Sequence, residues 1–515
     1  MGIELTLINW LLAALPIILL LVGILGLKWS TYKTGAITFI VTWVLGYTLF
    51  GADQKILLLA SSKGLSLALY VLLIIWGAIL LYNIADQAGA IKVIGGTISK
   101  VTDNKLHQML LLAWCFTSLL QGLAGFGVPI AVVAPILVIM GFNPMMAVTA
   151  CLLGHSWAIS FGSMGSSYNS IQLVTNIPGE VIGPQMALLF ILPIFATGFA
   201  VAHIYGGLKA VKKSFVLILI TGSVMSFMLW LLNFVGMSQI STLGAAMGGC
   251  ISTVLYSRLT DKTKRQADAE KKEGMGFVTA CFPYLSLIVI SIISQIPFIK
   301  SALSKYAWGL DYPAMETKMG YIVAEASMYS KIQIFSHPAP ILFLSAALGY
   351  LVYTGKAGVS KDILGKALKA TVKKSVPTSV GIATMVMMAL IMSDTGMTYL
   401  LARGIAMVFG QFYPIASPFI GVLGSFLTGS NTNSNIMFGM LQYETAEVIG
   451  KSSVIMAAVQ SVGGSLGVSI SPSSIMMGAS NVGLTGKESG IMAITIKYCL
   501  VITFLLGLIV FAVTL

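Results

Sequence analysis

Apolar runs of about twenty residues recur along the whole chain, and they fix the solvent in which it must fold. Leu11–Leu27, Leu65–Tyr82, Phe215–Phe234 and Ile491–Val513 are examples. Each has the length of a helix crossing a hydrocarbon core of about 30 Å. Backbone N–H and C=O groups cannot stay unpaired in lipid, so the runs must be helical; the alternating pattern of a membrane barrel is absent. Composition agrees: 57% of the 515 residues are hydrophobic, 9% are charged and mean hydropathy is +0.93. A soluble domain carries roughly 25% charged residues, so there is too little polar surface here for one. The expected fold class is an all-α polytopic membrane protein with about 12–14 transmembrane helices. No basic region precedes the first apolar run, so Leu5–Leu27 reads as an uncleaved span rather than a signal peptide.

The formal charge of +13 lies in short loops between the runs and not in a soluble basic domain. That distribution marks cytoplasmic loops and argues against a nucleic-acid partner. Dense positive charge falls at Lys209–Lys213, Arg258–Lys272 and Lys356–Lys374, the last with six lysines against one aspartate. Two apolar runs separate the first loop from the second, and two more the second from the third, so all three can lie inside. Counting backwards, Lys28–Lys33 and Lys92–Lys105 also fall inside, which leaves the N-terminus outside. Ser163–Gln185, with no Lys or Arg, and the polar stretch Pro297–His337 fall outside. Cys115, Cys151, Cys250, Cys281 and Cys499 lie singly, mostly in apolar runs, and read as small core residues. Neither a metal nor a cofactor is expected.

A shift of about 308 residues places Asp86 on Asp394, Gly89 close to Gly396, Gly122 on Gly429 and Gly141 near Gly450. It also sets Ser160-Phe-Gly-Ser beside Ser469-Ile-Ser-Pro. Each half reads as a span, an amphipathic segment ending in a break, a short half-helix and a further span. By the lysine count the span before Asp86 runs inward and the span before Asp394 runs outward, so the repeats are inverted. Secondary transporters built this way bind substrate where paired discontinuous helices meet near the midplane. The expected organisation is N-terminal helices over 1–63, repeat 1 over 64–185 with a broken segment at 121–129, and central helices over 186–375. The central part holds a cytoplasmic loop at 257–276 and an external stretch at 296–338. Repeat 2 covers 376–490 with a broken segment at 429–435, and a last transmembrane helix covers 491–515.

The breaks are the candidate substrate and ion site. Gln121, Gly122, Gly125, Phe126 and Gly127 interrupt an apolar stretch, and Pro129 suits the first turn of a new helix. After Gly429 come six consecutive small polar residues, Ser430, Asn431, Thr432, Asn433, Ser434 and Asn435. Such a cluster is costly in hydrocarbon unless it lines a cavity or binds an ion. Amides at the start of a half-helix favour an anion; carbonyls and hydroxyls at a broken end favour a cation. The plain alternative, a flexible loop outside the membrane, fits poorly with the flanking apolar runs and the repeat.

At these residues the chain resembles the L-lactate permease family. The resemblance rests on Gly122-Leu-Ala-Gly-Phe-Gly-Val-Pro followed by Gly141-Phe-Asn-Pro, and on Phe426-Leu-Thr-Gly-Ser-Asn-Thr-Asn-Ser-Asn with Leu441-Gln442. It continues in Ile470-Ser-Pro-Ser-Ser and Val482-Gly-Leu-Thr-Gly-Lys-Glu-Ser. The resemblance implies cation-coupled uptake, by proton symport, of L-lactate, D-lactate or glycolate across a prokaryotic plasma membrane. A wider likeness to ion-coupled anion transporters with re-entrant hairpins implies an elevator-like motion and a homodimer. Departures from the family pattern remove ionisable groups. Gln121 stands where an acidic residue commonly precedes the first break, Asn431 where an aspartate commonly follows Gly-Ser, and Val468 where a lysine often precedes Ile-Ser-Pro. Asp394 stands where an uncharged polar residue is expected, and His155 replaces an asparagine-like position. Ser430-Asn431-Thr432 also resembles the Ser-Asn-Thr signature of sodium-coupled carboxylate transporters. The coupling cation is therefore H+ or, in the alternative reading, Na+ with a different organic anion.

Single residues carry paired readings. Asp394 is a functional candidate as an ionisable group at membrane depth, against an interfacial helix cap. His155 can carry a proton, against a buried hydrogen-bonded histidine. Arg403 can pair with a substrate carboxylate, against interfacial anchoring. Ser160 and Ser471 join the candidates through the paired stretches, while Glu444 and Glu447 are expected near a half-helix end, facing water. An enzyme is not expected: there is no His-Glu-x-x-His, no phosphate-binding Gly-x-x-x-x-Gly-Lys, and only four histidines, widely spaced. An anion channel remains the competing class.

Overall fold

The structure is a computed structural model that describes residues 3–515 apart from 28, 99–100, 126, 261–274, 295, 304 and 336. Phe126 and most of the Arg258–Lys272 loop therefore lie outside the described residues. Among those described, 11 helices are long and apolar enough to cross a membrane, or up to 12 with the bent pair Pro144–Ala158 and Gly162–Thr175 taken as one span. The protein is an all-α polytopic membrane protein.

Two features explain a count at the low end of expectation. One continuous stretch contains the 44-residue helix Ile191–Phe234. At about 1.5 Å per residue this is roughly twice the hydrocarbon thickness. Its backbone leaves helical geometry at Gly206 and Gly207, with no intervening loop. Lys209–Lys213, expected in a loop, begin the helix that follows. The second feature is a set of helices too short to span, among them Val128–Ile139 with 12 residues and Pro472–Asn481 with 10.

The element order of the first half recurs in the second. A long helix, Gln54–Gln87 or Ile363–Asp394, is followed by a shorter one, Ala90–Ile98 or Met397–Phe409. Then come Thr117–Ala124 and the half-helix Val128–Ile139, matched by Tyr413–Thr428 and Asn431–Val448. Pro144–Gly154 and Gly162–Thr175 complete the first set, Ser453–Gly467 and Pro472–Asn481 the second. The last element of each half, expected as a further span, is itself broken.

The two long helices lie against each other. Lys63 Nζ is 3.0 Å from Asp394 Oδ2, Trp76 Nε1 donates to Ser379 Oγ at 3.0 Å, and Asn83 Nδ2 to Thr371 Oγ1 at 2.9 Å. As residue numbers rise on one helix they fall on its partner, so the pair is antiparallel. Lipid tails are as apolar as leucine, so packing and buried hydrogen bonds, not escape from water, hold such helices together. Tyr413–Thr428 and Ser453–Gly467 approach backbone to backbone: a Cβ on Gly463 would collide with the Pro418 carbonyl oxygen, and one on Gly421 with that of Gln460.

The stretch expected outside carries structure of its own. Strand β1 (Ala307–Tyr312) pairs antiparallel with β4 (Ala326–Gln333), enclosing the short pair β2 (Met315–Glu316) and β3 (Ile322–Val323). Asp311 accepts hydrogen bonds from Met328 N and Ser327 Oγ, which hold its carboxyl below the usual range. The buried Tyr312 docks this hairpin on the first long helix, its hydroxyl 3.0 Å from Ser62 Oγ and 3.1 Å from Ser66 Oγ. Burial and the nearby carboxylates of Glu444 and Asp394 push the Tyr321 phenol up.

Candidate functional site

Four breaks in the helices converge on one cavity of about 270 Å³. The first follows Thr117–Ala124. Gly127, at φ +82°, caps the Val128 half-helix, and Pro129 lies in its first turn. The second follows Pro144–Gly154, where Ser163, Met164 and Gly165 form a left-handed turn at φ +49°, +55° and +72°. Side chains with a Cβ are strained there. The turn is held by Gly125 N donating to Ser163 Oγ at 2.8 Å and Tyr168 N to the Ser160 carbonyl at 2.9 Å. The third is at Gly429, at φ +68°, after which Ser430 caps Asn431–Val448 through its hydroxyl and the Asn433 N–H. The fourth is at Ser471, held extended by the proline that follows it, with its hydroxyl capping Ser474 N.

Each break presents two kinds of helix end. The starts at Val128, Ser166, Asn431 and Pro472 offer N–H groups without intrahelical partners; the ends at Ala124, His155, Thr428 and Ile470 offer carbonyls. Each favourable helix start contributes about 0.3–1 kcal/mol towards a nearby anion, and up to about 2 kcal/mol where partly buried. The cavity wall carries Gln121, Gly127, His155, Ser163, Ser166 and Ser167 from the first half, with Thr428–Asn433, Val468, Ser473, Ser474 and Met477 from the second. The long helix Ile363–Asp394 forms another wall, through Lys374, Pro377, Thr378, Gly381 and Ile382.

Behind this lining runs a buried hydrogen-bond network joining the halves. Asn431 Nδ2 donates to Ser160 Oγ at 2.9 Å and to the Ser461 carbonyl at 3.1 Å, and Ser160 Oγ donates to that same carbonyl at 2.9 Å. Asn435 Nδ2 donates to the Ser167 carbonyl at 2.8 Å and to Ser461 Oγ at 2.9 Å. Gln460 Nε2 reaches Ser434 Oγ at 3.0 Å, and Ser434 Oγ donates to the Gly421 carbonyl at 2.9 Å. Carbonyl acceptors fix the orientation of the Asn431 and Asn435 amides, so their Oδ1 atoms point elsewhere. Among the described residues no donor reaches Oδ1 of Asn431, Asn433 or Asn435, although all three are buried. A buried acceptor without a partner is destabilising by about 1–3 kcal/mol.

His155 is buried, its Nδ1 2.6 Å from the Cys151 carbonyl. That oxygen can only accept, so Nδ1 carries the hydrogen and a neutral ring keeps Nε2 as an acceptor.

Of the residues singled out in sequence, Gln121, Gly127, His155, Ser430, Asn431, Thr432 and Asn433 line the cavity. Ser160, Ser434 and Asn435 stand one layer behind, Ser471 is a helix cap, and Gly125 fixes the left-handed turn. Gly122 packs on the backbone of Leu243, where a Cβ would lie 3.0 Å away. Asp394 and Arg403 do not line the cavity: Asp394 is buried against Lys63, and Arg403 lies half-buried in Met397–Phe409. Glu447 is exposed, but Glu444 is buried with no partner for Oε2 among the described residues, because the helix stays packed as far as Ala446 and only its last two residues reach the surface.

Sequence reasoning missed Lys63 and Lys374, and among the serines of the second breaks Ser163, Ser166, Ser167, Ser473 and Ser474. The 308-residue shift had already set the stretches at Ser160 and Ser469 side by side, which was the available signal for the serines. Lys374 had none, since it closes a basic stretch that reads as a loop.

The L-lactate permease family model matches residues 9–515. The chain is 28% identical to an L-lactate permease of Salmonella typhi, covering 97% of this chain and 94% of that one. It is 27% identical to an L-lactate permease of Bacillus subtilis, over 98% of this chain and 96% of the relative. A glycolate permease of Escherichia coli K12 is 26% identical over 97% of this chain and 94% of its own length.

Proposed function

The chain belongs to the L-lactate permease family, and we propose that it carries L-lactate and related small 2-hydroxy monocarboxylates, glycolate included, by cation-coupled symport through the cavity between the helix breaks. It is a membrane transporter and not an enzyme. The observation that carries the substrate class is the convergence of four helix starts on one cavity. This gives a carboxylate several N–H donors and a favourable field without a large fixed charge. A cavity of about 270 Å³ has room for a small anion and a few waters. The serine and threonine hydroxyls on its wall suit a hydroxyl on the substrate.

The recurring element order and the antiparallel pairing of Gln54–Gln87 with Ile363–Asp394 support reading the halves as inverted repeats. In that arrangement one cavity can open to either side as one set of helices moves against the other. The membrane is the plasma membrane of a prokaryote, with the N-terminus outside.

Proton coupling is the first reading, with His155 on the cavity wall as the group able to exchange a proton. The second reading is sodium, and it rests on the asparagine Oδ1 atoms that no donor reaches, since oxygen acceptors without hydrogens suit a hard cation. Uptake of labelled L-lactate by proteoliposomes, under an imposed proton gradient and then a sodium gradient, decides between them. Accumulation is expected with the proton gradient alone. Accumulation with sodium alone would replace the proton reading, and no saturable uptake or exchange of lactate or glycolate under either gradient would refute the transport proposal.

A further inference from the structure

The cavity has one wall without a helix break, and it carries the charge. Lys374, Pro377, Thr378 and Gly381 line the cavity from the Ile363–Asp394 helix, at spacings of three and four residues that form one stripe. Among the described residues Lys374 is the one Lys or Arg on the cavity wall, and no Asp or Glu lines it. The neighbouring Lys366, Lys369 and Lys373 are exposed, whereas Lys374 is half-buried. Among the described residues the only ion pair is Lys63–Asp394, so no carboxylate among them neutralises the Lys374 ammonium. A half-buried ammonium on a cavity that also receives helix starts adds to their positive field, and a bound anion is favoured by both.

We infer that Lys374 is the cationic partner of the substrate carboxylate, closing on the anion from the unbroken wall of the cavity. The inference rests on the reading of the cavity as a monocarboxylate site. It adds a specificity: one ammonium matches one carboxylate, and a second carboxylate on the substrate would meet only neutral groups and a histidine. Substrate bound in this way also bridges the long helix and the broken helices, so its carboxylate helps set how these two parts sit while loaded.

The test is Lys374→Cys in proteoliposomes, with labelled L-lactate as the probe. It is assayed untreated, after aminoethyl methanethiosulfonate, which restores an ammonium, and after a neutral alkyl methanethiosulfonate of similar size. Wild-type protein treated in the same way is the control, since Cys250 and Cys281 are only partly buried. Lys374→Met keeps the length of the side chain without its charge, and size-exclusion elution shows whether each variant is folded. Loss of a charge-assisted contact predicts a KM raised roughly tenfold to hundredfold in Lys374→Cys and Lys374→Met. The aminoethyl adduct is expected to recover most of the loss and the neutral adduct none. An excess of a four-carbon dicarboxylate is expected to compete poorly. Unchanged KM in both folded variants, equal recovery by the two adducts, or a fall confined to the maximal rate would overturn the role of Lys374 while leaving lactate transport in place. Absence of uptake by the wild-type protein would overturn the transport reading and this inference together.

Discussion

Replacing Lys63 with alanine is expected to destabilise the protein by about 3–5 kcal/mol, the largest effect of any single change away from the cavity. The pair is buried, with the two side chains 5% and 9% exposed and 3.0 Å between Nζ and Oδ2. Removing one member leaves the other as an isolated charge in a medium that solvates it poorly, and that penalty exceeds the worth of the bond itself. Lys63→Met combined with Asp394→Leu removes both charges at similar volume and is expected to restore most of the loss. Thermal unfolding of the detergent-solubilised variants measures both effects. The double variant also separates the two readings of Asp394. Since this carboxylate lies off the cavity wall and joins the antiparallel helices, the folded double variant is expected to retain lactate uptake. If it folds but no longer accumulates lactate under a proton gradient, Asp394 belongs to the coupling machinery instead. Equal stability in the single and double variants would contradict the structural role.

Asn431→Leu is expected to lower lactate uptake by roughly tenfold to hundredfold with the protein still folded. Leucine keeps the branched shape of asparagine but cannot donate to Ser160 Oγ or to the Ser461 carbonyl, and these two contacts tie the third break to both neighbouring breaks' supports. Folding should survive because Ser160 Oγ still donates to the Ser461 carbonyl at 2.9 Å. Initial rates of uptake, with thermal unfolding as the control, check this. Uptake within twofold of wild type would show that the network only packs the helices.

Much of the site was readable from residues that do not belong in hydrocarbon. Gly125 and Gly127 before Pro129, and six small polar residues after Gly429, are costly at depth unless they face a cavity, and the structure places both segments on one. The second pair of breaks was harder to see. Ser163 and Met164 take left-handed conformations that their residue types do not advertise; tertiary hydrogen bonds from Gly125 N and Tyr168 N hold them there. Lys374 was hidden for a different reason. It ends a run of lysines that reads as a cytoplasmic loop, yet the helix begins at Ile363, so helical geometry turns one of those lysines inward and leaves its neighbours exposed. Lys63 was concealed in the same way within an apolar helix, because pairing across 331 residues of sequence leaves no local pattern. The hairpin at Ala307–Gln333 escaped because its strands are short and carry register shifts between Trp308 and Tyr312.

That the helix breaks and the long helix Ile363–Asp394 enclose one substrate cavity is tested most directly at Thr378. It lines the cavity from the unbroken wall, and its hydroxyl donates to the Lys374 carbonyl of its own helix, at 3.0 Å. In Thr378→Cys, the rate of methanethiosulfonate labelling is measured against L-lactate concentration. Labelling is expected to slow as lactate rises, with half the effect near the transport KM; an unchanged rate at concentrations that saturate uptake would mean that lactate binds elsewhere.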